Sequence, residues 1–309
     1  AEQVGKTMIS FEKVLKNESP DWVIVVGDVN ATLACSVTAK KLNIKVCHIE
    51  SGLRSGDELM PEEINRLVTD RISDLLLTPD KISSDNLLSE GVPPEKIKFV
   101  GNIMIDTLDA QINKVKKINL NNVIKNNLII KQNHMLNREN ISFGLITLHR
   151  PSNVDILEVL ESIVRFFLDE VINDYLLIWP IHPRTKKKLI DFNLWNEVLN
   201  CKKIIILNPL SYQEMLKLNL ESSIMFTDSG GLQEECTVLG TPCLTLRYNT
   251  ERPITLCENG GASILTGNKI KDIKSNLNKI INKNIISSRP KYWDGNTAER
   301  CLKEIINYK

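Results

Sequence analysis

This chain of 309 residues lacks long apolar runs. None approaches the roughly 20 residues that cross a bilayer as a helix, and no stretch reads as a signal peptide. No membrane partner is expected, and a cytoplasmic location is. Excess charge of one sign is absent as well. With 39 Lys and Arg against 38 Asp and Glu the net charge is +1, which leaves no electrostatic footprint for nucleic acid or an anionic membrane. The seven cysteines (35, 47, 201, 236, 243, 257 and 301) are odd in number and contain no C-x-x-C pair. Several, including Cys47 and Cys243, lie inside apolar strand-like runs, which predicts reduced, mostly buried thiols and no metal site. Internal repeats are missing. Histidines are scarce, at four, so each is informative. What remains is 42% hydrophobic and 25% charged, suited to a soluble globular protein of about two domains.

Short apolar runs alternate with helix-like segments. Asp21 to Gly27 is a near-continuous apolar run, the pattern of a strand buried on both faces of a parallel sheet. It ends at Gly27-Asp28-Val29-Asn30, and Ala31 to Lys41 reads as a crossover helix. A second strand, Ile44 to Ile49, ends at Glu50-Ser51-Gly52-Leu53-Arg54. Pro61-Glu62-Glu63 opens a helix, with proline in the first turn and acids at the positive end of the dipole. Glu62 and Arg66, four apart, share a face of it. Further strands are expected at 75–78 and 97–101, with the Ser83 to Glu90 helix between them. From Ile103 to Glu139 Lys and Asn dominate and no strand is evident, as for an inter-domain region. A second βα series follows, with strands at Ile141–Thr147, Tyr175–Ile181, Lys203–Ile206, Ile224–Thr227, Cys243–Arg247 and Ala262–Leu265, and a final amphipathic helix runs from Asn296 to Ile306. Such alternation predicts doubly wound α/β sheets. The chain opens at Ala1 on what reads as the middle of an amphipathic helix (Val4, Met8, Ile9, Phe11, Leu15). An α/β domain normally opens with a strand, so an N-terminal piece is expected to precede it.

In open α/β sheets ligands sit beyond the carboxyl ends of the strands. Asp28 and Glu50 follow the first two strands, with Glu62 nearby. In the second series His149-Arg150, His182 and Asp228-Ser229 hold the equivalent places. One half offers acids, the other cations and phosphate donors, which suggests a cleft for a nucleotide conjugate undergoing proton transfer. The stretch Thr227-Asp228-Ser229-Gly230-Gly231-Leu232-Gln233-Glu234-Glu235 passes from strand to helix through two glycines. It reads either as an anion site at a helix N-terminus, with Glu235 one turn on to reach a ribose diol, or as an ordinary helix start capped by Asp228 or Ser229.

Eight motifs then stand in order along the chain: Gly-Asp-Val-Asn-Ala-Thr (27–32), His-Ile-Glu-Ser-Gly-Leu-Arg-Ser (48–55), Pro-Glu-Glu-Ile-Asn-Arg (61–66), Gly-Asn-Ile-Met-Ile-Asp (101–106), Leu-His-Arg-Pro-Ser-Asn (148–153), Pro-Ile-His-Pro-Arg (180–184), the stretch 227–235, and Thr-Glu-Arg-Pro (250–253). With these motifs the chain resembles the non-hydrolysing UDP-N-acetylglucosamine 2-epimerase family. The resemblance implies a glycosyltransferase-B-like α/β fold of two Rossmann-like domains around a cleft. On this reading residues 1–115 carry the acid/base carboxylates, 116–293 bind UDP, and a helix within 294–309 crosses back to the first domain. The implied reaction eliminates UDP, passes through a 2-acetamidoglucal and re-adds UDP with C2 inverted, with no cofactor and no metal. The implied partners are a UDP-sugar substrate, a second UDP-GlcNAc as an activator, and a second copy of the chain in a homodimer. Polysaccharide biosynthesis is the implied setting.

The resemblance assigns acid/base roles to Asp28, Glu50 and Glu62, without saying which is base and which acid. Their plainer readings are a turn acid, a partner of Arg54 and a helix N-terminal acid. Arg66 orients Glu62 or a substrate oxygen, or forms a surface pair. His149 matches the histidine near the leaving phosphate, flanked by Arg150. His182 lines the substrate pocket or a second UDP-sugar site, or packs against Pro183. His48 supports Glu50 from the same side of its strand, and His134 reads as solvated. Ser229, Gly230 and Gly231 hold the diphosphate and Glu235 the ribose. Arg247 and Arg252 add charge near phosphate, or close a salt-bridged loop with Glu251.

The motifs also recur in relatives that act on UDP-linked diacetamido-uronic acids. A UDP-sugar glycosyltransferase of the same fold, a hydrolysing epimerase and an inactive UDP-sugar-binding fragment are three further functions open to such a chain.

Overall fold

The computed structural model describes residues 1–129, 142–282 and 287–308. His134 and the expected strand start at Ile141 lie outside the described residues. The chain divides into two compact units. The first is Ala1–Asp109, Glu251–Ile254 and Pro290–Lys309; the second is Ala110–Thr250 and Thr255–Arg289.

In the first unit the order is α1 (Glu2–Glu18), β1 (Trp22–Val26), α2 (Asn30–Lys41), β2 (Lys45–Ile49), α3 (Pro61–Ile72), β3 (Leu75–Thr78), α4 (Lys81–Ser89) and β4 (Ile97–Phe99), and α5 (Ile103–Lys116) carries the chain onward. The strands form one parallel sheet in the order β1-β2-β3-β4. Val23 and Val25 pack with Leu15, Ala39 and Val46 on one face. On the other, Cys47, Ile49, Leu75 and Leu77 meet Cys301 and Ile305. The expectation that the first strand is buried on both faces is corrected. Val23 and Val25 are buried on one face, but Ile24 and Val26 on the other are 51% and 45% exposed among the described residues. Apolar composition alone does not tell which face of a strand is covered.

The second unit contains α6 (Leu120–Asn127), β5 (Phe143–Thr147), α7 (Pro151–Val154), α8 (Leu157–Asp169), β6 (Leu176–Pro180), α9 (Pro183–Asp191), α10 (Trp195–Asn200), β7 (Ile204–Leu207), α11 (Tyr212–Glu221), β8 (Ile224–Thr227), α12 (Gly230–Leu239), β9 (Cys243–Thr245), β10 (Ser263–Leu265) and α13 (Ile270–Asn282). Its six strands are parallel, in the order β10-β9-β8-β5-β6-β7. Counted from the unit's own first strand and read from the β7 edge, this is 3-2-1-4-5-6, the Rossmann order, with its switch point between β5 and β8. Near-continuous apolar strands such as Ile204–Leu207 and Ile224–Thr227 are buried along their whole length, as two covered faces require.

The last helix, α14 (Thr297–Ile306), belongs to the first unit. Asp106 accepts hydrogen bonds from its first amides, Thr297 N at 3.0 Å and Ala298 N at 2.7 Å, which satisfies the exposed end of the helix. Trp293 just before it is buried, and its indole N–H donates to Pro79 O at 3.0 Å. Gly101, at φ +99°, cannot take a side chain, because a Cβ would lie 2.1 Å from Tyr292 O. Among the described residues no helix is long and apolar enough to cross a membrane.

Candidate active site

In the first unit Asp28 and Glu50 stand at the ends of β1 and β2, which pair side by side. Gly27 takes φ +70°, and a Cβ there would lie 3.2 Å from Glu50 Oε2, so the turn that carries Asp28 lies against the Glu50 carboxyl. Glu50 itself adopts φ +69°, an uncommon conformation for a side chain of its size. Arg252 reaches Glu50 Oε1 at 3.5 Å and pairs with Glu251. Burial pushes the Glu50 carboxyl above its ordinary range. Arg252 and His48 pull it down and Asp28 pushes it up, with a net raised pKa. A carboxyl shifted in this direction beside a second one suits proton transfer.

Arg66, 2% exposed on α3, pairs with Asp28 and with Glu63, whose Oε2 lies 2.5 Å from Nη2. Among the described residues no ion pair joins Glu62 to Arg66 across the face they share. Glu63 is the buried acid of the pair, and also accepts from Ser55 N and Gly56 N. Burial raises its pKa, but those amides and Arg66 outweigh this and hold it below the ordinary range. Glu62 is exposed in the first turn. Glu50 does not pair with Arg54, which binds Asp70 at 2.7 Å and Glu90 at 2.7 Å instead. Sequence reading missed Glu63 and Asp70. Their signal was available, since Glu63, Arg66 and Asp70 are spaced i, i+3, i+7 along one helix face.

In the second unit the strand-end residues meet at the switch point. Asp228, fully buried after β8, accepts from the backbone amides of His149 at 3.0 Å and Arg150 at 2.9 Å, both following β5. Asn153 Nδ2 adds a bond at 3.1 Å, and the His149 ring places Nδ1 at 2.9 Å from Asp228 Oδ1. The Asp228 carboxyl is held below its ordinary range: burial acts against ionisation, but the His149 ring and these amides win. His149 thus donates through Nδ1 and leaves Nε2 turned away from Asp228. Arg150 Nε donates to Asp228 O at 3.0 Å. His182 caps α9, its Nδ1 accepting from Arg184 N at 3.2 Å, with its ring centroid 5.4 Å from that of His149. Burial and the neighbouring His149 lower its pKa, so His182 favours the neutral ring.

With its carboxylate committed to these partners, Asp228 does not cap α12, and Ser229 makes no side-chain cap bond either. Ser229 N donates back to Thr227 Oγ1 at 3.0 Å. The α12 N-terminus begins Gly230-Gly231, and around Gly231 there is open space where a Cβ would stand. Uncapped amides with room beside them suit a phosphate. Glu235, half-buried one turn along α12, lies near the Tyr212 hydroxyl and accepts from Asn219 Nδ2 at 3.5 Å. Burial pushes its pKa up to about 7 against those two donors. Arg247 is buried two residues beyond β9. Arg252, expected with it among the phosphate donors, lies in the first unit beside Glu50. Among the described residues no group of three or more His, Cys, Asp or Glu is arranged to hold a metal ion.

A family model described as UDP-N-acetylglucosamine 2-epimerase matches residues 1–306. The chain is 43% identical over 309 residues to the UDP-N-acetylglucosamine 2-epimerase of Methanocaldococcus jannaschii, covering 99% of this chain and 81% of that protein. It is 34% identical over 306 residues to the UDP-2,3-diacetamido-2,3-dideoxy-D-glucuronate 2-epimerase of Pseudomonas aeruginosa, covering 98% of this chain and 79% of that protein. The crystal structure of the Methanocaldococcus jannaschii UDP-GlcNAc 2-epimerase in complex with UDP-GlcNAc and UDP superposes with a TM-score of 0.84 at 40% identity, over 100% of this chain and 81% of that one. Paired carboxyls at the ends of β1 and β2, an open helix N-terminus at a Rossmann switch point and these matches lead to one assignment: the chain belongs to the UDP-N-acetylglucosamine 2-epimerase family.

Proposed function

We propose that this chain epimerises UDP-GlcNAc at C2 to UDP-ManNAc by elimination and re-addition of UDP. A carboxylate removes the C2 proton, the C–H electron pair becomes the C1=C2 bond, and the C1–O bond breaks to release UDP. A second carboxyl delivers a proton to the opposite face of C2, and a UDP phosphate oxygen re-adds to C1. The step needs acid and base groups on two faces of the ring and cations for the leaving diphosphate.

The roles follow the residues. Asp28, Glu50 and Glu62 exchange protons with the sugar, with Arg66 and Arg252 holding Asp28 and Glu50. The Ser229 hydroxyl and the α12 amides at Gly230 and Gly231, together with His149, Arg150 and Arg247, hold and neutralise the diphosphate. Glu235 accepts the ribose hydroxyls. His182, a neutral ring beside His149, lines the same pocket or a second UDP-GlcNAc site that activates the enzyme. Residues 1–115 with the last helix and the returning segment 251–254 form the catalytic domain, and the rest of 116–293 the UDP-binding domain. A homodimer in polysaccharide biosynthesis completes this reading. The observation that carries it is the apposition of Glu50, its pKa raised, with the turn bearing Asp28, in a chain matched by the family over residues 1–306.

The test is incubation with UDP-GlcNAc in deuterium oxide, followed by product NMR. Epimerisation gives UDP-ManNAc carrying deuterium at C2. Release of free ManNAc and UDP would indicate the hydrolysing reaction. Transfer of an undeuterated sugar to an added acceptor would indicate a glycosyltransferase, and binding without turnover would refute catalysis altogether. The 34% likeness to the diacetamido-glucuronate enzyme makes that UDP-sugar the second substrate to try, and preference for it would replace UDP-GlcNAc.

A further inference from the structure

His48 is fully buried on β2, two residues before Glu50. Its Nδ1 lies 2.6 Å from Asp70 Oδ1 and its Nε2 lies 2.9 Å from the carbonyl oxygen of Gly27. Both partners are acceptors. The carbonyl has no proton to give. Asp70 has its other oxygen occupied by two donors, Gly52 N at 3.0 Å and Arg54 Nη1 at 2.7 Å, which hold it as the carboxylate. A neutral imidazole carries one N–H and would turn a lone pair on one of these acceptors, at the cost of a buried unsatisfied group. Two acceptors therefore demand two ring protons. Burial opposes the charged ring, but Asp70, the Gly27 carbonyl and Glu50 outweigh it and leave the His48 pKa raised.

The position of this cation matters more than its existence. The carbonyl it holds belongs to the peptide joining Gly27 to Asp28, and Gly27 N is fixed at the other side by Ile49 O at 3.1 Å. Gly27 sits at φ +70° against Glu50, and Asp28 continues directly to Arg66. Without a donor on that carbonyl the peptide between Gly27 and Asp28 loses its orienting bond, and what then holds the turn is Gly27 N on Ile49 O, Arg66 on the Asp28 side chain and Asn65 Nδ2 on the next carbonyl, Asp28 O, at 2.8 Å.

The geometry points to His48 as a positioning residue of the proposed epimerisation: a doubly protonated imidazolium, clamped by Asp70, that fixes the Gly27–Asp28 peptide and with it the spacing and charge balance of Asp28 and Glu50. This rests on the reading of Asp28 and Glu50 as the proton-exchanging pair. The charged groups that face the site are Asp70, Arg66 and Glu63 on α3, Arg54 in the loop after β2, Asp28 after β1, Glu50 itself, and Glu251 and Arg252 of the returning segment. Among them His48 is a cation that depresses the Glu50 pKa, so its removal raises that pKa further.

The wild-type protein labelled with nitrogen-15 histidine is examined by NMR from pH 6 to 9, with the spectrum of His48→Gln assigning the His48 signals. Both His48 ring nitrogens are expected to carry slowly exchanging protons throughout, and a single-proton ring at pH 8 overturns the proposal. In His48→Gln, kcat is expected to fall at least tenfold and the acid limb of the pH–rate profile to move upward, while UDP affinity changes less than threefold. Asp70→Asn, which removes the charge that retains the proton, is expected to change kcat and the pH profile in the same sense and serves if His48→Gln does not fold. Unchanged kcat and pH profile in a folded variant overturn the positioning role. A wild-type protein that does not epimerise refutes the proposed reaction instead, and the ring-proton measurement still decides the charge state of His48.

Discussion

Glu62 and Glu63 share a helix turn in α3, and their environments separate two kinds of failure. Glu63 is 2% exposed against Arg66, so Glu63→Ala leaves a buried guanidinium with one carboxylate fewer and is expected to cost about 3 kcal/mol of stability. Glu62 faces solvent, and Glu62→Gln is expected to move stability by less than about 0.5 kcal/mol. On its proposed role the same change lowers kcat by a hundredfold or more. Thermal denaturation beside initial rates separates the two, and an active Glu62→Gln enzyme would remove Glu62 from the chemistry. Glu235 supplies a pH test. Its folded pKa of about 7 stands above the ordinary 4.5, so its contribution to stability is fully present below about pH 4.5 and is lost as pH rises through about 7. Glu235→Gln should therefore be more stable than wild type at pH 8, by on the order of 2 kcal/mol after allowance for partial exposure, with the gap closing near pH 5. The amide also loses one acceptor for the ribose, and UDP affinity should drop at least tenfold. Identical pH–stability curves would contradict the burial argument, and undiminished UDP affinity would contradict the ribose assignment.

At the scale of elements, α12 is a helix whose start is built for something other than its own stability. Gly231 has negative φ and nothing within 4 Å of a built Cβ, so its backbone does not need glycine. Gly231→Ala is expected to stabilise the ligand-free protein by about 0.5 kcal/mol, since alanine is the better helix former. The added methyl occupies the space a phosphate would use, and UDP affinity is expected to fall tenfold or more. Calorimetric titration with UDP beside a melting curve decides it, and a variant both stabler and equally tight would place the phosphate elsewhere. The sequence shows that a strand passes into a helix here through Asp-Ser-Gly-Gly, but leaves the anion site and the capped start equally open. Asp228 settles the cap through His149, Arg150 and Asn153, partners 75 to 79 residues away that no local pattern encodes. The strands are legible to within a residue or two because their apolar runs end at turn or polar residues such as Gly27, Pro79, His149 and Asp228. The exposed face of β1 is not, because which face another element covers is a property of the packed unit and not of the strand's own residues.

Over the whole molecule, contiguity in sequence does not fix the unit to which a residue belongs. Arg252 lies between second-unit residues, yet Glu251–Ile254 belongs to the first unit, where Arg252 meets Glu50. The last twenty residues return as well, and they supply core to a sheet whose strands end before residue 100. Trp293 is the test of that debt. It is one of the largest fully buried side chains, and its indole N–H satisfies Pro79 O. Trp293→Ala removes its buried contacts and orphans a carbonyl, at a cost of about 3–5 kcal/mol. Each unit has its own sheet and its own hydrophobic clusters, so the loss should be local. Hydrogen exchange of Trp293→Ala should show faster amide exchange in β1 to β4, α4 and α14, with β5 to β10 changed little. UDP, held on the proposed reading by the second unit, should still bind at temperatures where turnover has gone. Equal loss of protection in both sheets would show that the units unfold as one cooperative body, and the returning segment would then stabilise the whole chain.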